Sequence, residues 1–361
     1  GSMQLAVDKK NVPHHRKQMT QSVMINTDNK LSISERHNNM RYLPDKGLWQ
    51  AGQRSKLIAL LNIQDFLSQN MKNTQNQEPS TQNPVYDSLL NIINTTQVDT
   101  TKIKALNAIS WQLRTSYPNS ALHYAQQALQ LAEEIKYSKG IANSFHNIGE
   151  INWRKGNYDQ ALKYHLESLE IQRELNERRG IASSLNNIGA VYMDIGEYDQ
   201  ALKYYLDALE IQRELNDRSG IATSLNNIGV IYKNLGESQL DKKIQRDKYD
   251  QALKKYLESL EIKRELNDRR GIAGSLNNIG VIYKNLGEYD QALKYYLESL
   301  EIYRELNDRR GIAISLSNIA GIYYERAEQY RSEGTADSVA WYYEKCMEYD
   351  KQSLKIRKEI G

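Results

Sequence analysis

Asparagine recurs in this chain with a regularity that invites a chemical reading. One set, Asn186, Asn226 and Asn277, repeats at spacings of 40 and 51 residues. A second set, Asn107, Asn147, Asn187, Asn227, Asn278 and Asn318, recurs in step with it. Both sets fall inside helical apolar patterns, where asparagine has no propensity reason to be. A carboxamide both donates and accepts, so a row of them suits the backbone of an extended or helical peptide. Residue sets for other chemistry are missing. The single cysteine, Cys346, excludes a disulfide framework or a cysteine-built metal site; it stands at a packing alanine's position and reads as a buried thiol. Of six histidines only His14 and His15 adjoin, without further ligands nearby. Carboxylate pairs recur at Glu170/Glu174, Glu210/Glu214, Glu261/Glu265 and Glu301/Glu305, each with arginine three or four residues away, as Glu265 has Arg269. These are surface helix pairs worth about 0.2–0.5 kcal/mol each. No strand pattern precedes a glycine-rich phosphate loop. The expectation is a non-enzymatic chain with no catalytic residue, cofactor or metal.

Composition narrows the partners. The chain has 361 residues, 48 basic and 45 acidic, and 40% hydrophobic content, ample for folding. Residues 1–100 carry 11 basic and 8 acidic side chains, so 48 − 11 = 37 and 45 − 8 = 37 remain for residues 101–361. A neutral body lacks the basic stripe that phosphate binding needs, and nucleic acid is not expected as a partner. The longest apolar run, Leu57 to Leu61, is far short of the ~18 residues that span a bilayer. Gly1-Ser2-Met3 reads as a tag remnant. The compartment stays open, with the cytoplasm as default and the periplasm as the alternative had a signal peptide been removed.

The elements that must position these residues are announced by internal repetition. Gly-Ile-Ala begins at Gly140, Gly180, Gly220, Gly271 and Gly311. Residues 220–237 joined to 249–270 match 271–310 at 37 of 40 positions, differing only at Thr223/Gly274, Lys255/Tyr295 and Lys263/Tyr303. A fixed period of this size means stacked supersecondary units. Within one unit, Leu185, Ile188, Gly189 and Tyr192 share a helix face, Gly196 supplies a stop, and Ala201, Leu202, Tyr205, Ala208, Leu209 and Ile211 form a second helical pattern. Two helices per unit follow. Mid-helix glycines at 149, 189, 229 and 280, with Ala320 in the same place, imply a close approach of the paired helices.

The run Leu185, Ile188-Gly189, Tyr192, Ala201, Tyr205, Ala208 resembles the tetratricopeptide repeat. It recurs as Leu225, Ile228-Gly229, Tyr232, Ala252, Tyr256, Ser259 and as Leu276, Ile279-Gly280, Tyr283, Ala292, Tyr296, Ser299. A second unit keeps Ile148-Gly149, Ala161 and Ser168 with Asn152 for tyrosine; the first keeps Ala121, Ala125 and Ala128. The 40-residue unit lacks the family's closing proline, so the Leu-Glu-Ile-x-Arg-Glu-Leu-Asn helix is expected to run on. Similar long units occur in kinesin light chain, the Pins/LGN mitotic scaffolds and bacterial sensory proteins. The resemblance implies an all-α, right-handed superhelical solenoid of about six hairpins: 101–141, 142–181, 182–221, 222–272, 273–312 and 313–361. Its first helices would line a concave wall that holds a peptide or protein segment. Carrying the family's inward positions over gives His146, Asn186, Asn226, Asn277 and Ser317 at one level. The next level is Trp153, Met193, Lys233, Lys284 and Tyr324, and beside it Arg154, Asp194, Asn234, Asn285 and Glu325. Lys233 and Lys284 centre a mildly basic patch that favours an acidic ligand, with Trp153 and Tyr324 as anchors at the ends. The second asparagine row is read as structural, bonding between units.

Two units are longer. The fourth carries Ser238 to Lys248 in excess, and Leu240 with Ile244 at i, i+4 suggests that its second helix is prolonged backwards. The sixth is longer by fourteen residues, seven per helix, with a turn near Gly334–Asp337. Residues 4–84 form an irregular, partly helical segment and linker with one short helix at 54–69. Residues 85–99 form a capping helix through Leu89, Leu90 and Ile93. The irregular segment is expected to lie either in the array's own groove or a neighbouring copy's, or to form an irregular cap. The functional expectation is an interaction scaffold; the alternative is the sensory region of a bacterial histidine kinase or nucleotide cyclase. A peptide-pheromone regulator is disfavoured because residues 1–70 hold no helix-turn-helix pattern.

Overall fold

A computed structural model describes residues 84–333 and 336–360. The expected helix at 54–69, the irregular segment before it and its placement in a groove lie outside the described residues. Thirteen α-helices and no strand occur among the described residues: α1 (Pro84–Thr95), α2 (Thr100–Leu113), α3 (Pro118–Glu134), α4 (Ser138–Arg154), α5 (Tyr158–Glu174), α6 (Arg178–Ile195), α7 (Tyr198–Glu214), α8 (Arg218–Glu237), α9 (Lys242–Glu265), α10 (Arg269–Asn285), α11 (Tyr289–Glu305), α12 (Arg309–Ser332) and α13 (Ala336–Ile360). Helices α2 to α13 form six hairpins. Each helix packs on the next, and first helices of successive hairpins also meet, α2 with α4, α4 with α6, α6 with α8 and α10 with α12. Second helices of successive hairpins meet less closely, as in the exposed ion pair of Arg264 on α9 with Glu298 on α11. The stack therefore closes towards its first helices, the geometry of a solenoid's inner wall.

The period is built from two 17-residue helices, such as α4 and α5, each followed by a three-residue turn. The second helix does not continue through the asparagine as expected. It ends at Glu174, Glu214, Glu265 or Glu305, and Asn176, Asn216, Asn267 and Asn307 take φ of 51–54°. Asparagine tolerates this left-handed conformation and so replaces the proline as the stop signal. At the other turn Gly196 does the same, with φ 91°. Asp217, Asp268 and Asp308 then cap the next helix by accepting from the amides of Gly220, Gly271 and Gly311. The Gly-Ile-Ala triplet thus sits in the first turn of the helix. Hairpins begin at Ser138, Arg178, Arg218, Arg269 and Arg309, four residues ahead of the unit boundaries drawn from sequence.

The mid-helix glycine marks where the two helices of a hairpin meet. A Cβ on Gly229 would lie 2.6 Å from Cε1 of Tyr256; on Gly280, 2.6 Å from Tyr296; on Gly149, 2.7 Å from His165. In the first hairpin the sizes at these positions are exchanged: Ile109 takes the place of the glycine and Ala125 that of the ring, both buried. Between hairpins, Leu225, Ile228 and Ile231 pack with Ile221, Tyr205 and Ile262 in a continuous core. Ser184 bonds to Gln172 at 2.8 Å and Ser224 to Gln212 at 2.7 Å across the same seam. Leu89, Leu90 and Ile93 of α1 cover the exposed side of the first hairpin against Ile109 and Leu113.

The longer units behave in two ways. In the last, α12 and α13 have 24 and 25 residues, so both helices run two turns beyond their neighbours, and Tyr323 stacks on Tyr349 with centroids 5.5 Å apart. In the fourth, α8 runs through Gly236, and α9 starts at Lys242 behind the cap Asp241. Leu240 lies before that cap and is 97% exposed, so it forms no apolar pair with Ile244. Cys346 is not buried as expected. Ala292, its counterpart, is covered by the hairpin that follows, and no such hairpin covers Cys346 among the described residues. Burial and the nearby Asp350 carboxylate push its thiol pKa up.

Candidate functional site

The inner wall is formed by α4, α6, α8, α10 and α12. Helical spacing puts Asn186, Asn226 and Asn277 one turn before Ala190, Val230 and Val281 on the same face. All six are partly buried. The apolar residues were not singled out from sequence; the signal was their i+4 offset from each asparagine.

The two asparagine rows form one ladder. Nδ2 of Asn278 donates to Oδ1 of Asn226 at 3.1 Å, and Nδ2 of Asn318 donates to Oδ1 of Asn277 at 2.9 Å. Oδ1 of Asn186 accepts from Ser224 Oγ at 2.8 Å. At the joint of the second and third hairpins, Asn187 meets Nδ1 of His146 at 3.4 Å. One hairpin earlier, Asn147 reaches the backbone carbonyl of Asn107 at 2.9 Å. The row expected to face ligand therefore holds the stack together through its oxygens. Its Nδ2 groups, at Asn186, Asn226 and Asn277, donate to no other side chain or backbone oxygen among the described residues. What the wall offers is a line of donors backed by small apolar side chains.

The expected basic patch is neutralised. Lys233 pairs with Glu237 at 3.0 Å, Asn285 donates to the same carboxylate at 3.2 Å, and Lys284 lies 4.0 Å from Glu325. The matching acids follow each lysine by one turn or come from the next hairpin, a pairing that position-by-position reading does not reveal. Asn234 lies beside Lys233 at the end of α8, partly buried. At the far end Tyr324 is 48% exposed and edge-on to Tyr343.

The near end holds a denser polar cluster. Trp153 Nε1 donates to Asp194 at 2.7 Å, and Arg154 Nε donates to Glu150 at 2.7 Å. Glu150 is 5% exposed. Trp111 and His146 pack with ring centroids 5.6 Å apart, and His146 meets His165 edge-on at 5.8 Å. Burial, then the charge of Arg114, lowers the His146 pKa to about 4. Burial and His146 lower that of His165 to about 3. Both rings are neutral at pH 7, and neither His165 nitrogen has a hydrogen-bond partner. With no proton acceptor beside it, His165 packs against Gly149 as tyrosines do in the next three hairpins.

A family model described as tetratricopeptide repeat matches residues 118–174, 180–240, 243–305 and 271–332. No curated protein sequence matches the chain. Among solved structures, the chain is similar to a Rap protein complexed with competence and sporulation factor, at TM-score 0.53 and 15% identity over 90% of this chain and 92% of that one. It is similar to the apo quorum sensor NprR from B. thuringiensis, at TM-score 0.52 and 16% identity over 88% and 91%. It is also similar to a signal transduction ATPase with a tetratricopeptide repeat sensor, PH0952 from Pyrococcus horikoshii, at TM-score 0.54 and 15% identity over 79% and 41%. At these identities the likeness is one of fold. Repeat period, hairpin stacking and the matched family model agree, and the chain belongs to the tetratricopeptide repeat family.

Proposed function

We propose that this protein is an interaction scaffold that holds a peptide or protein segment along the inner wall formed by α6, α8 and α10. One observation carries the reading: the Nδ2 donors of Asn186, Asn226 and Asn277 face no protein acceptor while their oxygens are fixed by the stack. Donors held in register suit backbone carbonyls, and Ala190, Val230 and Val281 beside them suit apolar side chains. Lys233 and Lys284 are paired, so their segment of the wall recognises peptide backbone rather than ligand charge. The Rap protein bound to its competence and sporulation factor supports the reading by analogy of fold. The test is selection of a displayed random-peptide library on the protein. Enriched peptides should lose at least about tenfold in affinity, roughly 1.4 kcal/mol, against the Asn186→Ala/Asn226→Ala/Asn277→Ala variant. Undiminished binding to a folded triple variant would refute the groove.

A second reading makes the array the sensory region of a larger signalling protein. The matched ATPase, whose array is part of a longer chain, favours it. It uses the same wall, with ligand occupancy as its signal.

A further inference from the structure

The outer side of the array carries an ordered row of charges around exposed leucines. On α7 the outward residues are Asp199, Lys203, Leu206, Glu210 and Arg213, all exposed. The same five residue types recur at the same offsets on α5, α9 and α11, around Leu166, Leu257 and Leu297. These four leucines are 40–47% exposed, whereas Leu169, Leu209, Leu260 and Leu300, three residues further on, are 2–3% exposed. In the terminal hairpins the leucine position holds Gln126 on α3 and Lys351 on α13, so the apolar row is confined to the middle four. A single exposed leucine is ordinary surface. Repetition multiplies the ridge, and the order of charges within one ridge decides what fits it.

Asp199 and Arg213 stand seven residues to either side of Leu206, about 10.5 Å along the axis, and Lys203 and Glu210 stand three and four residues to either side, about 4.5 and 6 Å. Turned end for end, the ridge matches itself. Aspartate meets arginine, lysine meets glutamate and leucine meets leucine, each within about 1.5 Å of register. Laid parallel, the ridge sets every charge against its own kind, which is unfavourable. The four charged side chains on α7 have no ion-pair or hydrogen-bond partner among the described residues, so a guest displaces none.

We propose that a second copy of this chain docks on the outer ridge, the two copies related by a two-fold axis along the stack, so that α7 lies antiparallel to the partner's α7 and α9 to the partner's α9. Such an interface is isologous and closes on itself. The stack closes towards its first helices, so two outer sides touch over the middle hairpins, where Leu206 and Leu257 lie. The contact is smaller than a standard interface, and the dimer is weak and concentration-dependent. Both inner walls face away from it, so the pair presents two walls at once, which favours bivalent partners. This dimer goes beyond the groove reading and does not depend on it.

The test is sedimentation equilibrium of the full chain from about 10 µM to about 1 mM, the range of weak association, with circular dichroism checking the fold of each variant. The parent should show a reversible monomer–dimer equilibrium. Leu206→Glu/Leu257→Glu should weaken it at least about tenfold, because apolar contacts become like-charge contacts. Should that variant fail to fold, Leu206→Gln/Leu257→Gln, with the residue that α3 carries there, takes its place and should weaken association in the same direction. Arg213→Glu sets a glutamate against the partner's Asp199 at two symmetric contacts and should weaken the dimer at least about fivefold. Asp199→Arg should do the same. The two substitutions combined in one chain should return association to within about twofold of the parent, since the reversed pair again attracts. A parent that is monomeric at about 1 mM, a dimer indifferent to the leucine variants, or a double charge variant no better than the singles would overturn the proposal.

Discussion

Exchanging the large and small partners at the contact of Gly229 with Tyr256 tests the packing rule most sharply. A Cβ on Gly229 would sit 2.6 Å from Cε1 and 2.8 Å from Cδ1 of the Tyr256 ring, against an ordinary contact of 3.4 Å or more. The ring would have to retreat by 3.4 − 2.6 = 0.8 Å, and it is only 1% exposed, enclosed by Leu260, Leu276 and Ile279. Gly229→Ile should therefore cost about 1–3 kcal/mol by overpacking, offset by no more than about 0.5 kcal/mol of recovered helix propensity. Tyr256→Ala should cost about 3–5 kcal/mol by leaving a cavity. The double variant reproduces the arrangement that the first hairpin uses, Ile109 with Ala125. Its loss should be smaller than the sum of the single losses by at least about 1 kcal/mol. The assay is urea unfolding followed by helical circular dichroism. Midpoints are compared across variants because repeat arrays need not unfold in one step. Additive losses, or a Gly229→Ile variant as stable as the parent, would refute the pairing.

Three further outcomes follow from the packing and ion pairs of the hairpins. His165 and His146 have pKa values lowered to about 3 and about 4 against 6.5 when unfolded, so the unfolded chain binds more protons between those values. Their contribution is complete above pH 6.5 and lost as pH falls towards 3; thermal melts should decline across that window, and less steeply in His165→Tyr. Asn226→Asp keeps the acceptor for Asn278 while removing the Nδ2 donor, so its melting temperature should stay near the parent's while affinity for a library-selected peptide falls. Asn226→Ala should lose both, the stability term being about 0.5–1.5 kcal/mol by melting. The rim pairs Arg178–Glu214, Arg218–Glu265 and Arg269–Glu305 are roughly half-exposed on both sides. Removing one, as in Arg218→Ala, should cost under about 1 kcal/mol in urea unfolding, and less still at high salt.

The hairpin architecture was legible because the sequence writes it several times over. Glycine opposite tyrosine at 229 and 256, repeated at 280 and 296, announces a close helix pair, and two extra turns in each helix of the last hairpin follow from a seven-residue excess. Local conformation was less legible. Asn216 and its counterparts look like helix residues continuing a periodic run, but their left-handed backbone ends the helix. Leu240 and Ile244 carry a helical spacing that the cap at Asp241 cuts. Site residues were legible as positions and not as partners. Lys233 meets Glu237 and Asn285, contacts from one turn and one hairpin away, and Asn226 meets Asn278 across 52 residues.

The central claim is that the stacked first helices leave a wall on which a guest chain lies. The direct measurement places a photo-reactive phenylalanine derivative singly at Asn186, Asn277, Leu257 or Leu297 and illuminates each variant with a library-selected peptide. Leu257 and Leu297, 40% and 42% exposed on the second helices α9 and α11, serve as the outer face. The account predicts peptide adducts from positions 186 and 277 and none from 257 or 297; adducts confined to the outer positions would contradict it.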